Sequence, residues 1–392
     1  MRVAIFTEAY TPHINGVVTH IKILREGLEH LGHQVLIVTA DSTAHKHYIK
    51  DGVLYCPAHK LQHRLRGFDA STPVSMTRLH MVSEFKPDII HVQNEFGIGL
   101  SGIAMSKILK VPLVYTLHTM YDDYIYYVAP RPLVGITRKI SHKYFKMFAT
   151  SANAITGPSV KCEEFLANAG VKQPVNVIPN SVELDAFSPD VITPEERHDL
   201  RQRFGVPDDA ILACFVGRLG KEKSIDVLIN FWKEEIKKDE PFYLLIIGDG
   251  PERDALRQQV SDLGLTDRVF MTGRIEHTDL PPYLLSSDIY VTASLSEMNS
   301  ISMLEAMASG LPVLQRLDET NKYQIKEGEN GYLFSTAADM AKLLRRYQQQ
   351  SKEDREKLQI STRQSVKSSG AENLANYMLA IYHGAYKNKN HK

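Results

Sequence analysis

Short apolar runs alternate with amphipathic stretches along most of this chain. "RVAIFTE" is a continuous apolar run near the start and predicts a buried strand. After the loop "AYTPHING", Val18, Ile21, Leu24, Leu28 and Leu31 recur at three- and four-residue spacing, which predicts one face of a helix. Gly32 stops that helix, and "QVLIVTA" predicts a second strand. "PDIIHVQ", a helix near "GLSGIAMSKILK", "VPLVYTLH" and "ANAITGPS" continue the alternation. Strand and helix in turn imply a parallel sheet flanked by helices.

The alternation pauses at "NVIPNSVELDAFSPDVITPEERHDLRQRFGVPDD", where Pro, Asp and Ser collect, so a linker is expected near residues 183–208. It then restarts through "AILACFVGR", "SIDVLINFWKEEIKK", "FYLLIIGDG", "PERDALRQQVSDLG", "RVFMTG" and "IYVTAS". Two doubly wound α/β domains in series follow, over residues 1–185 and 186–370. Ligands of such sheets sit at the carboxyl ends of the strands, near the point where strand order reverses. Two such domains facing one another would leave a deep cleft between them. The last stretch, residues 371–392, includes the helical "NLANYMLAIYHGAYK", which periodicity assigns to neither domain.

Length agrees with two domains: 392 residues is more than one core usually supports. Formal net charge is zero, so no overall field draws the chain to nucleic acid. The balance is uneven, because residues 1–185 hold 19 Lys+Arg against 15 Asp+Glu, and 12 of the 16 histidines. That modest surplus suits an anionic surface. Cys56, Cys162 and Cys214 are scattered with no CxxC pair, which speaks against a disulfide framework or zinc site and suits a reducing cytoplasm. The opening "MRVAIFTEAY" reads as a strand, so no secretory leader is expected, and no apolar run approaches the roughly 18 residues of a membrane span. Any membrane contact is therefore expected to be peripheral.

Candidate chemistry gathers at the predicted strand ends. In "SLSEMNSISMLEAMASGLPVL", Glu297 and Glu305 bracket the start of a helix, with Asn299 or Ser300 as its N-cap. A helix N-terminus attracts phosphate, whereas a carboxylate beside phosphate makes sense only if it accepts hydrogen bonds from sugar hydroxyls. The competing reading makes Glu305 a solvated helix residue and Glu297 a loop charge. In "VGRLGKEKS", Arg218, Lys221 and Lys223 follow a strand and could neutralise a diphosphate, or be solvated loop charges. "IIGDGPERD" is a tight turn that could bring backbone close to a nucleotide. Gly16, in "PHINGVV", precedes a helix, but there is no GxGxxG fingerprint. His118 ends an apolar strand, and Asp122-Asp123 lacks a third metal ligand, so no metal site or cofactor is expected. In "RPLVGITRKISHKYFKMF", Leu133, Ile136, Ile140, Tyr144 and Phe148 share one helical face, and Arg138, Lys139, His142, Lys143 and Lys146 the other. Such a helix packs on a sheet or lies on an anionic membrane.

In this order, "PHINGVV", "TLHTMY", "IPNSVE", "VGRLGKEKSID", "IIGDGPE" and the E-x7-E stretch before "AMASGLPV" resemble glycosyltransferase family 4, over nearly the whole chain. The resemblance implies the GT-B fold and a retaining, metal-independent transfer from a nucleotide sugar. It implies that Arg218 and Lys223 bind the donor diphosphate, Glu305 the ribose and Glu297 the donor sugar. Asn299, Ser300 and Ile301 then lie along the donor, Gly16 abuts the phosphates and His118 lies near the transferred sugar. It also implies that the last helix, residues 371–392, crosses back to the first domain. The chain departs from the family in having Met298-Asn299-Ser300 where Gly-Phe-Gly is common, and Ser224 in place of a frequent Gly. "FTEAYTPHINGVVTHI" and "TLHTMYDDY" look more narrowly like bacterial diacylglycerol α-glucosyltransferases. That likeness implies UDP-glucose as donor, diacylglycerol as acceptor, and a place at the cytoplasmic membrane face, with Arg138, Lys139, Lys143 and Lys146 on anionic lipid. The alternatives are another acceptor, a nucleotide-sugar epimerase, or a non-catalytic subunit that binds UDP-sugar.

Overall fold

The computed structural model describes residues 1–392 except 12, 14, 61–68, 119–133, 319–321 and 391–392. The chain divides into two compact units, Met1–Ser181 with Ala371–Lys392, and Val182–Gly370.

The first unit carries β1 (Arg2–Thr7), β2 (Gln34–Asp41), β3 (Tyr48–Lys50), β4 (Val53–Lys60), β5 (Asp69–Ser71), β6 (Ile89–Val92), β7 (Leu113–Thr116), β8 (Ala154–Gly157) and β9 (Val175–Val177). The sheet runs β3-β4-β2-β1-β6-β7-β8-β9, with β5 beside β4. All pairs are parallel except those of β3 and β5 with β4. Strand order therefore reverses between β1 and β6. The helix Gly16–His30 buries Val18, Ile21, Leu24 and Leu28 against Val3, Ile5 and Ile37, and Asn15 Oδ1 caps it by accepting from the Val18 N–H at 3.0 Å.

The helix Ala371–Asn390 lies in this same unit, with Leu374, Met378 and Tyr382 in its core. It approaches the first helix at Gly27, where a Cβ would stand 2.2 Å from the Ala371 carbonyl oxygen. Only glycine admits that contact.

The second unit carries β10 (Ile211–Val216), β11 (Phe242–Ile247), β12 (Val269–Gly273), β13 (Ile289–Thr292), β14 (Val313–Arg316) and β15 (Gly331–Phe334). Its order is β12-β11-β10-β13-β14-β15, all parallel, so it reverses between β10 and β13. Trp232 anchors one face of its core, fully buried.

Residues 183–208 differ from the linker expected of them. They form the helix Pro194–Arg203, whose start is closed by a reciprocal cap between Thr193 and Glu196. Arg201 is buried and bonds Asp288 at 2.9 Å. Pro194, one of the prolines that suggested a loop, stands at the first helical position, where its missing N–H costs nothing and its fixed φ suits the helix.

Candidate active site

The loops after β10 and β13 flank the reversal point of the second sheet. After β10 the chain turns through residues 217–220 into the 3₁₀ turn Lys221–Lys223 and then the helix Ile225–Glu235. After β13 it runs through residues 293–299 to Ser300, whose Oγ accepts from the Met303 N–H and caps the helix Ile301–Ala308. The loops are tied together: Ser294 Oγ and Ser296 Oγ donate to the Glu222 carbonyl at 3.3 and 2.8 Å. That tie brings Lys223 Nζ to 2.7 Å from Glu297 Oε1. Arg218 is exposed, with NH1 3.5 Å from the buried Glu222 carboxylate.

Glu305 sits one turn inside the helix Ile301–Ala308 and is 4% exposed, so it is not a solvated helix charge. Its Oε1 accepts from His277 Nε2–H at 2.8 Å, out of the 3₁₀ turn His277–Asp279 that follows β12. Burial pushes the Glu305 carboxyl above its ordinary range; the His277 bond opposes that rise and the Glu183 charge adds to it. Glu297 and Asn299 are also buried, Ser300 is half-buried and Ile301 begins the helix. Gln324 Nε2 donates to the Met298 carbonyl at 3.1 Å, so side chains brace a segment where the family commonly has glycines. Ser224 has φ 51°, in the left-handed region, which accounts for the glycine usual there.

The glycines of the "IIGDG" turn allow a close crossing of backbone. A Cβ on Gly248 would stand 1.9 Å from the Gly217 carbonyl oxygen, and one on Gly250 2.4 Å from that of Leu219. These glycines let the turn pack on residues 217–219, where Leu219 N–H donates to the Asp249 carbonyl at 3.1 Å. The turn supports the Arg218 loop.

In the first unit, the segments after β1 and β6 flank the corresponding reversal. Gly16 is exposed at the first position of its helix. His118 is half-buried just after β7; its Nε2 bonds Gln93 Oε1, and its ring packs edge-on against His20 at 4.8 Å. Burial and the neighbouring His20 and His91 hold the His118 pKa well below its ordinary value. Glu8, buried after β1, accepts at Oε1 from the N–H groups of Ile98 and Gly99 at 2.6 and 3.2 Å. Burial raises its pKa to about 7. Asp122 and Asp123 lie outside the described residues, as does Leu133.

The helix Val134–Ser151 exposes Arg138, Lys139, Lys143 and Lys146. It buries Phe145, Phe148 and Ala149, whereas Ile136 and Ile140 are 61% and 65% exposed. The apolar face read from spacing is therefore only partly a packing face, and its first turns present isoleucine and basic residues together. Among the described residues, no helix is long and apolar enough to cross a membrane.

Sequence reasoning singled out neither His277 nor Gln93, and Glu222 only within its motif. His277 carries no motif signal. The polar "QNE" after the apolar strand "DIIHV" was the available sign of Gln93.

Residues 14–186 match the family model described as Glycosyltransferase Family 4, and residues 196–365 the one described as Glycosyl transferases group 1. The α-monoglucosyldiacylglycerol synthase of Acholeplasma laidlawii is 30% identical over 88% of this chain and 87% of that protein. The chain belongs to glycosyltransferase family 4. A synthase of the same description from Streptococcus pneumoniae is also 30% identical, over 87% of this chain and 77% of that one. Among solved structures, Anabaena HepE in complex with UDP and glucose superposes with a TM-score of 0.73 at 17% identity, covering 98% of this chain and 99% of that one. The glycosyltransferase described here accordingly has the GT-B fold, two Rossmann-like units in one chain.

Proposed function

We propose that this glycosyltransferase moves glucose from UDP-glucose to 1,2-diacylglycerol, with retention at the anomeric carbon, at the cytoplasmic face of an anionic membrane. The observation that carries the reading is the meeting of Lys223 and Glu297 at the reversal point of the second sheet, with Arg218 alongside and Glu305 on the adjoining helix. The names of the two synthases support the lipid acceptor and the HepE complex supports the donor.

Arg218 and Lys223 would bind the diphosphate, and the N–H groups of Ser300 and Ile301 add dipoles beside it. Glu305 would accept from the ribose hydroxyls, and Glu297 and Asn299 from those of the hexose. His118 is assigned to the transferred sugar and Gly16 to close approach of backbone to phosphate. The acceptor oxygen bonds the anomeric carbon as the carbon–phosphate-oxygen bond breaks, on the same face. The leaving phosphate takes the acceptor proton. Arg218 and Lys223 stabilise the charge growing on UDP, so the reading calls for no metal.

Lys223 and Arg218 each face a carboxylate through one nitrogen and carry several N–H donors with which to meet a phosphate. Arg138, Lys139, Lys143 and Lys146, with Ile136 and Ile140, would dock the first unit on anionic lipid.

The test uses the purified full chain, labelled nucleotide sugars, and vesicles holding diacylglycerol and anionic lipid. Labelled monoglucosyl lipid from UDP-glucose, α-linked, is expected. Transfer to a soluble sugar with none to lipid, or a β-linkage, would sink the reading.

A further inference from the structure

A string of bonded polar side chains runs through the interior of the first unit and ends at His118. Tyr382, on the last helix, meets His91 Nδ1 at 2.7 Å; Thr116 Oγ1 meets His91 Nε2 at 2.6 Å. Gln93 Nε2 lies 3.3 and 3.2 Å from those two ring nitrogens. The donor end of the Gln93 amide thus faces His91, and its acceptor end, Oε1, bonds His118 Nε2. Tyr382, His91 and Gln93 are fully buried and Thr116 nearly so. Of these residues only His118 reaches solvent.

We propose that Gln93 is a positioning residue for His118, holding its ring with the proton on Nε2 so that Nδ1 is the acceptor for a hydroxyl of the transferred sugar. This deepens the reading that places His118 at that sugar, and rests on it. An amide oxygen only accepts, so the shared proton belongs to Nε2. A neutral imidazole with Nε2 protonated has one lone pair, on Nδ1. The groups facing His118 keep it neutral: His20 from the first helix packs on its ring, and His91 lies behind Gln93. Standing 3.3 and 3.2 Å from both ring nitrogens, which Tyr382 and Thr116 already engage, Gln93 Nε2 lies over the face of the His91 ring, where an N–H is attracted by the π electrons and an amide oxygen is repelled, so the amide keeps Oε1 toward His118.

Nitrogen-15 NMR of the imidazoles in the full chain tests this, with the His118 signal assigned by loss in His118→Asn. Wild type should show a neutral ring protonated at Nε2 between about pH 5 and 8, the range where an ordinary histidine titrates. Gln93→Glu keeps the acceptor but adds charge, and should raise the His118 pKa by about one unit or more. Glucosyl transfer by that variant should then gain a limb rising with pH that wild type lacks. Gln93→Leu should lower kcat about tenfold with KM for UDP-glucose nearly unchanged, the pattern of an interaction realised in the transition state. Gln93→Glu should retain more activity than Gln93→Leu above its new pKa, and a melting curve of each variant reports whether it folds.

An Nδ1-protonated ring in wild type overturns the proposal, as does a Gln93→Glu protein in which neither the His118 titration nor the pH profile moves. If wild type transfers from no nucleotide sugar, the glucosyltransferase reading fails and the sugar contact with it, while the tautomer signals still decide whether Gln93 positions His118.

Discussion

At the scale of single residues, the candidate site of the second unit is built from charges that neutralise one another. Lys223 holds Glu297, Arg218 lies beside Glu222, and His277 holds Glu305. Arg218→Ala and Lys223→Ala should each weaken UDP binding by about 1.5–3 kcal/mol, the usual worth of a hydrogen bond to a charged group. Titration calorimetry on the folded variants checks this, and unchanged affinity in both removes the diphosphate assignment. Glu297→Gln releases Lys223, so UDP binding should hold or tighten while transfer falls. Glu305→Gln should weaken UDP itself. Equal UDP affinity in wild type and Glu305→Gln would take the ribose away from Glu305.

Glu8 offers a separate test, of stability. Its folded pKa is about 7, raised by burial from 4.5, and Oε2 meets no partner among the described residues. A raised folded pKa means stability present below the unfolded pKa and lost as pH rises through the folded one. Between pH 4.5 and 8, wild type should therefore lose about 3 kcal/mol relative to Glu8→Gln. Denaturant melts of both proteins at the two pH values measure it, and parallel curves would contradict the buried-acid account.

At the scale of elements, the helix Val134–Ser151 buries apolar residues only in its second half and presents its first half outward. Phe145 and Phe148 are buried, while Ile136, Arg138, Lys139 and Ile140 are exposed. Basic residues near an anionic bilayer contribute about 1 kcal/mol each, less as salt screens them. Replacing Arg138, Lys139, Lys143 and Lys146 by Ser should lower sedimentation with anionic vesicles and lower lipid glucosylation, with UDP affinity unaltered. Binding that ignores both salt and these substitutions would assign membrane contact elsewhere. The strands and most helices were legible because buried parallel strands and amphipathic helices write different periods into a sequence. The first helix shows this, since four of its five spaced positions are buried and Leu31 packs against the same core in part. The period also marked Ile136 and Ile140, but it records only which residues share a face, and says nothing of what covers that face. The segment 183–208 misled for a related reason, since Pro, Asp and Ser serve loops and helix starts alike.

At the scale of the whole molecule, the chain leaves its first unit after Ser181 and rejoins it at Ala371. The return depends on Gly27, where any side chain would strike the Ala371 carbonyl. Gly27→Val should loosen the helix Ala371–Asn390 and expose Tyr382. Faster hydrogen exchange over residues 371–390, with the second unit unchanged and stability lower by about 2–4 kcal/mol, is the expected result for overpacking a buried crossing. Unaltered exchange there would mean the crossing adapts. Local signals along the chain were enough for the two α/β domains, the family resemblance and the loops that carry Arg218, Lys223, Glu297 and Glu305. Each of these is local, written in periodicity, turn chemistry or a short motif. It took the folded chain to show that Lys223 meets Glu297, that His277 meets Glu305, and that Tyr382 reaches His91 behind Gln93. These partners are held together by strand order and buried packing, and no spacing along the chain encodes a contact made between distant elements.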